Sequence, residues 1–88
     1  MGKVSVTVRV LPDSEGTDLG SLFERINDMI PEGVQMRGHQ MVDVAFGLRA
    51  LLFNVLVNDS EGGIEALNER IEKIEGVGSV EVTDLSLI

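Results

Sequence analysis

Cysteine, tryptophan and tyrosine are absent from this 88-residue chain, and histidine occurs once. Without thiols there are no disulfides and no thiolate metal centre. A single histidine excludes the usual multi-histidine metal site. No nucleophile–base–orienter set can be assembled around His39, which falls in a weak strand pattern. The carboxylates are numerous but scattered over helix surfaces, so hydrolytic and transfer chemistry are not expected, and no cofactor is implied. No apolar run reaches the ~20 residues of a membrane span, and the N-terminus lacks the apolar core of a signal peptide. The expectation is a cytoplasmic protein. Basic residues are scarce too: 7 Lys+Arg stand against 15 Asp+Glu, a formal charge of −8. Such a surface is repelled by phosphate backbones, which argues against direct nucleic-acid binding. The same charge keeps a small domain soluble and steers it toward a basic protein surface.

The length predicts one domain over residues 1–88, whose core buries roughly 60–65% of the unfolded chain's surface. Val4, Val6, Val8 and Val10 alternate with Ser5, Thr7 and Arg9, the period of a half-buried strand. Thr17 or Asp18 can cap a helix expected to run through Met29 or Ile30. Its apolar stripe is Leu19, Leu22, Phe23, Ile26, Met29 and Ile30. Pro31-Glu32-Gly33 ends it. A weaker strand follows from Val34 to about Val44, with Val34, Met36, Val42 and Val44 in one phase. Gly38 and Gln40 interrupt that phase, as in an edge strand with a bulge. Leu48 to Val57 is apolar on both faces apart from Asn54, which predicts a central strand.

Ile64, Leu67, Ile71 and Ile74 form the stripe of a second helix reaching about Glu75, and Gly76 fits the left-handed position after it. A last strand covers Val77 to about Leu85. Its apolar phase moves from Val80 and Val82 to Leu85 and Leu87, so the tail bulges or leaves the sheet. The order β-α-β-β-α-β predicts an α+β ferredoxin-like sandwich, a four-stranded antiparallel sheet with both helices on one face. Fold alone does not give function. RNA-recognition modules of this fold need stacking aromatics on the first and third strands, and the first strand offers Ser5, Thr7 and Arg9 instead.

The chain has three aromatics, and Phe23 and Phe53 fall on apolar phases. Phe46 stands instead beside Gly47 where two strands meet. The run Ala45-Phe46-Gly47-Leu48 occurs together with Lys3-Val4-Ser5-Val6 through Pro12, Ile30-Pro31-Glu32-Gly33, Glu61-Gly62-Gly63, Ile74-Glu75-Gly76-Val77 and Val82-Thr83-Asp84. In that order and spacing the whole chain resembles the archaeal translation elongation factor 1-beta family. Its members are guanine nucleotide exchange factors of the elongation GTPase, elongation factor 1-alpha.

The resemblance implies a chain that is monomeric when free and binds that GTPase. Phe46 would be the wedge, Gly47 would let the backbone turn and approach closely, and Ala45, Leu48 and Arg49 would flank the contact. Read from composition alone, Phe46 folds back onto its own core. Leu87 and Ile88 have two readings, a tail packed on the sheet edge or a second partner contact. Eukaryotic relatives carry a lysine just before the C-terminal residue, proposed to reach the GTPase's magnesium site. This chain ends Asp84-Leu85-Ser86-Leu87-Ile88, so that cation does not carry over. The alternative of the same element order is an ACT-like small-molecule-binding regulatory domain.

Overall fold

The alternating valines of the first strand set the architecture. The computed structural model describes residues 3–14, 16–30, 33–45, 47–58 and 63–87. Its elements are β1 (Lys3–Pro12), α1 (Leu19–Asp28), β2 (Val34–Ala45), β3 (Leu48–Asn58), α2 (Gly63–Glu72) and β4 (Val77–Leu87). One antiparallel sheet has the order β2-β3-β1-β4, so the first and third strands are central, as their sequences predict. Val4, Val6, Val8 and Val10 lie opposite Val57, Val55, Phe53 and Leu51. These eight side chains join Leu19, Leu22 and Ile26 of α1 and Leu67, Ile71 and Ile74 from α2 and its exit in a single buried cluster. One cluster fed by both helices means that both cover the same face of the sheet, the ferredoxin-like arrangement.

The helices end slightly earlier than their apolar stripes suggest. Met29 is the C-cap of α1, and its carbonyl accepts a hydrogen bond from Arg70 Nη1 of α2 at 3.1 Å. After Glu72 the chain tightens, with Lys73 and Ile74 donating to the carbonyls of Arg70 and Ile71, three residues back. Ile74 stays buried although it lies past the helix. Gly76 takes the expected positive φ, 101°.

Two bulges correct the strand phases read from the sequence. In β2, Met36 faces Val55 and Gly38 faces Asn54, which leaves Arg37 as the extra residue. The bulge reverses the phase. Val34 and Met36 lie opposite core residues before it, while His39 and Met41 lie opposite Phe53 and Leu51 after it. Val42 therefore falls on the other face, and Val44, in a second irregularity between Asp43 and Ala45, is 44% exposed. His39 is a surface residue whose ring stacks on Phe23 of α1, centroids 3.7 Å apart. In β4, Thr83 is the extra residue between Val82, opposite Val8, and Asp84, opposite Thr7. The tail thus bulges and stays paired, and Leu85 and Leu87 join Val80 and Val82 on the helix-facing side.

Asn54, the polar exception in β3, bonds across to β1. Its Nδ2 group lies 3.0 Å from Ser5 Oγ, 3.1 Å from the Val6 carbonyl and 3.2 Å from Thr7 Oγ1. It ties the two central strands on the face without helices, beside the β2 bulge. Asn54→Asp removes the donors and sets a carboxylate against the Val6 carbonyl. The expected cost is about 1–3 kcal/mol, read as a lower denaturation midpoint at pH 7. A variant as stable as the parent would show that this link contributes nothing.

Candidate functional site

Ala45 and Leu48 are partners across β2 and β3, so two residues, Phe46 and Gly47, turn the hairpin. Gly47 has φ +80°, a conformation that L-residues adopt at a cost. Nothing lies within 4 Å of where its Cβ would be. The backbone, and not crowding, therefore asks for glycine. Phe46 lies outside the described residues, as does the side chain of Ala45. The last residue of β1 paired with β3 is Val10, opposite Leu51, so Leu48, Arg49 and Ala50 carry the hairpin past that pairing. Leu48 is half-buried. Arg49 is exposed, with Nε 3.5 Å from Asp43 Oδ1 directly across the hairpin. So exposed a pair contributes little stability and leaves the guanidinium available.

Beside the tip lies a concavity of about 340 Å³. Gly47, Arg49 and Met41 form one wall, and Pro12 at the end of β1, Thr17 and Asp18 of the β1–α1 connection, and Leu19 and Gly20 at the start of α1 form the other. Asp18 is the N-cap of α1, deciding between the two capping residues the sequence offers. Its Oδ1 accepts from the N–H groups of Gly20 and Ser21, and its Oδ2 accepts from the Ser21 hydroxyl at 3.1 Å. The Ser21 hydroxyl first, then the two backbone donors, hold the Asp18 carboxyl below its ordinary pKa. Thr17 Oγ1 donates to Asp13 Oδ1 at 3.2 Å, and the Asp13 N–H donates to the Gly76 carbonyl at 2.9 Å. A Cβ on Gly78 would stand 2.7 Å from the Pro12 carbonyl oxygen. The connection is thus clamped between α1 and the start of β4. The sequence reading missed this wall. The topology could have supplied it, because β1 ends and the β2–β3 hairpin turns at the same end of the sheet.

The other predicted contact is not brought to this end. Leu87 pairs with Val4, which faces Val57, nine residues along β3 from Leu48. At ~3.3 Å per residue the separation is about 30 Å. Leu87 is 75% exposed, so it does not pack into the core. Ile88 lies outside the described residues. Among the described residues no group of three His, Cys, Asp or Glu is placed to hold a metal ion, and no helix is long and apolar enough to cross a membrane.

Solved structures share this helix-backed antiparallel sheet. The ACT domain of GTP pyrophosphokinase from Chlorobium tepidum superposes with a TM-score of 0.64 at 16% identity, over 91% of this chain and 97% of that one. The C-terminal domain of MgtC from Mycobacterium tuberculosis gives 0.57 at 15% identity, over 100% and 88%. Both likenesses are of fold alone, so the ACT-like alternative finds only structural support. The sequence is more specific. Residues 5–88 match the family described as the EF-1 guanine nucleotide exchange domain. Proteins named elongation factor 1-beta from Methanothermobacter thermautotrophicus and Methanosarcina barkeri are 45% and 42% identical, over 97% of this chain and 96% and 97% of their own lengths. The chain belongs to the EF-1 guanine nucleotide exchange domain family, whose role is nucleotide exchange on elongation factor 1-alpha.

The Asp18 cap gives this wall a pH signature. A carboxyl whose pKa is lowered by folding stabilises the fold above its unfolded value of about 4, and that contribution is lost as pH falls through the lower folded value. Asp18→Ala should lower the unfolding temperature at pH 7, and Asp18→Asn should restore most of the loss. The gap between the parent and Asp18→Asn should shift against the parent below about pH 4. Parallel curves for the two across that range would contradict the assignment.

Proposed function

We propose that this single-domain chain speeds GDP release from the elongation GTPase by pushing the Phe46-Gly47 tip into it. The protruding hairpin, with Gly47 held at φ +80° beside the β1–α1 wall, carries this reading. Ala45, Leu48 and Arg49 flank the contact; Leu87, about 30 Å away along the sheet, forms a second one together with Ile88.

The physics is linkage. A partner that binds the nucleotide-free GTPase more tightly than the GDP-bound form must weaken GDP binding by the same factor. A coupling of about 1–3 kcal/mol corresponds to roughly 5–150-fold. A buried aromatic at the centre of a contact is the usual anchor of such an energy. No bond is made or broken, so the chain acts as an exchange factor and not as an enzyme. The charge of −8 draws the domain toward basic protein surfaces, away from nucleic acid. It works as a monomer in the cytoplasm.

Release of fluorescent GDP from elongation factor 1-alpha, with catalytic amounts of the chain, tests the proposal. Phe46→Ala should keep the circular dichroism spectrum and unfolding midpoint while slowing exchange at least tenfold, the effect of losing about 2 kcal/mol at a contact centre. Phe46→Leu should retain part of the activity. If Phe46→Ala unfolds the chain, the side chain belongs to the core. If it exchanges at the parent rate, the tip is not the wedge.

A further inference from the structure

The helix layer is shorter than the sheet it covers. α2 runs over Gly63–Glu72, about 15 Å at 1.5 Å per residue, while β4 runs over Val77–Leu87, about 36 Å. Only residues 73–76 separate the two, with the Val77 N–H bonded to the Ile74 carbonyl, and β4 is more than twice as long. Along its helix-facing side Val80 is half-buried, Val82 is 38% exposed, Leu85 57% and Leu87 75%. The Thr83 bulge keeps all four on one side, opposite Val10, Val8, Val6 and Val4. The sequence therefore maintains an apolar row that, among the described residues, no element of the sandwich buries.

β4 is also an edge strand with a free row of backbone N–H and C=O groups. Protein edges are commonly blunted with lysine, proline or inward-pointing charge. β2, the opposite edge, carries Arg37 in its bulge and His39 stacked on Phe23. β4 contains no Lys, Arg or Pro. On the face without helices it presents Glu81, opposite Arg9, and Asp84, opposite Thr7, both exposed. Arg9 is already engaged by Glu81, so Asp84 faces no nearby cation across the pair.

We propose that β4 receives an added strand from a partner protein, an extended segment in which apolar residues alternate with Lys or Arg. Strand addition satisfies the edge through main-chain hydrogen bonds and reads alternate side chains separately. Apolar side chains of the incoming strand lie against Val82, Leu85 and Leu87. Its basic side chains, pointing the other way, lie beside Glu81 and Asp84. A second copy of this chain fits poorly, because pairing β4 with itself sets these acids against their own kind on two domains of charge −8. The proposal widens the Leu87 contact to the whole edge and states its chemistry.

The probe is a capped nonapeptide of alternating valine and lysine, titrated into the 15N-labelled full chain without any GTPase. Failure here therefore leaves exchange through the tip standing. Saturable shifts confined to Val80–Leu87 and their β1 neighbours are expected. Binding should weaken with salt and should be at least tenfold weaker for the glutamate-for-lysine peptide. Leu85→Lys should reduce binding tenfold at an unchanged unfolding midpoint. If that variant is destabilised, Asp84→Lys, altering only the open face, should show the same loss. Shifts centred on β2, equal binding of the acidic peptide, no binding at millimolar peptide, or a sedimenting dimer that buries β4 would each overturn the proposal.

Discussion

Everything in this molecule depends on the register between β1 and β3. Val4, Val6, Val8 and Val10 meet Val57, Val55, Phe53 and Leu51, and both helices close over that pairing. A slip of one residue by either strand would turn its four core side chains to the open face, so the register is strongly held. Asn54 locks it from the other side by bonding to Ser5, Val6 and Thr7. Once it is fixed, Leu48 to Ala50 must lie beyond the last paired β1 residue, and the two-residue turn at Phe46-Gly47 must end the hairpin there. The position of the tip is a consequence of core packing some distance away.

The two ends of the sheet differ in how they are packed. The end at Gly47 is braced. Asp18 caps α1, Asp13 bonds to Gly76, and Gly78 allows β4 to pass against Pro12. A wedge needs this kind of backing, since binding energy spent on ordering a loose loop is lost to coupling. The opposite end leaves apolar surface on β4 beyond the reach of α2. Membership in the exchange-domain family gives the chain its role, and this asymmetry supports a tip that does the displacing, with the other end free for a different kind of contact.

Most of the fold was legible because its signals were periodic. The valines of β1, the stripes of both helices and the two-faced apolar run of β3 each point to one placement, and together they order the sheet. What escaped was aperiodic. Gly38 signals a bulge in β2, but nothing in the sequence says that Arg37 is the extra residue, so Val42 and Val44 were expected in the wrong phase. The slip from Val82 to Leu85 was visible, and only pairing with Val6 and Val4 shows that the strand continues through it. At the site, the turn at Gly47 followed from glycine's freedom at positive φ. The second wall did not, because Pro12 and Thr17 to Gly20 meet Met41 and Arg49 only in three dimensions. Phe46 was singled out by elimination and resemblance, which name a residue but do not place its ring.

The central claim is that the hairpin end of the sheet is what the GTPase grips. Amide hydrogen exchange of the chain, free and bound to nucleotide-free elongation factor 1-alpha, tests it most directly. The account predicts slowed exchange at Val44, Gly47, Leu48 and Arg49 and across Thr17 to Gly20 on binding. Unchanged exchange there, with slowing confined to the open face of the sheet or to the start of β2, would contradict it.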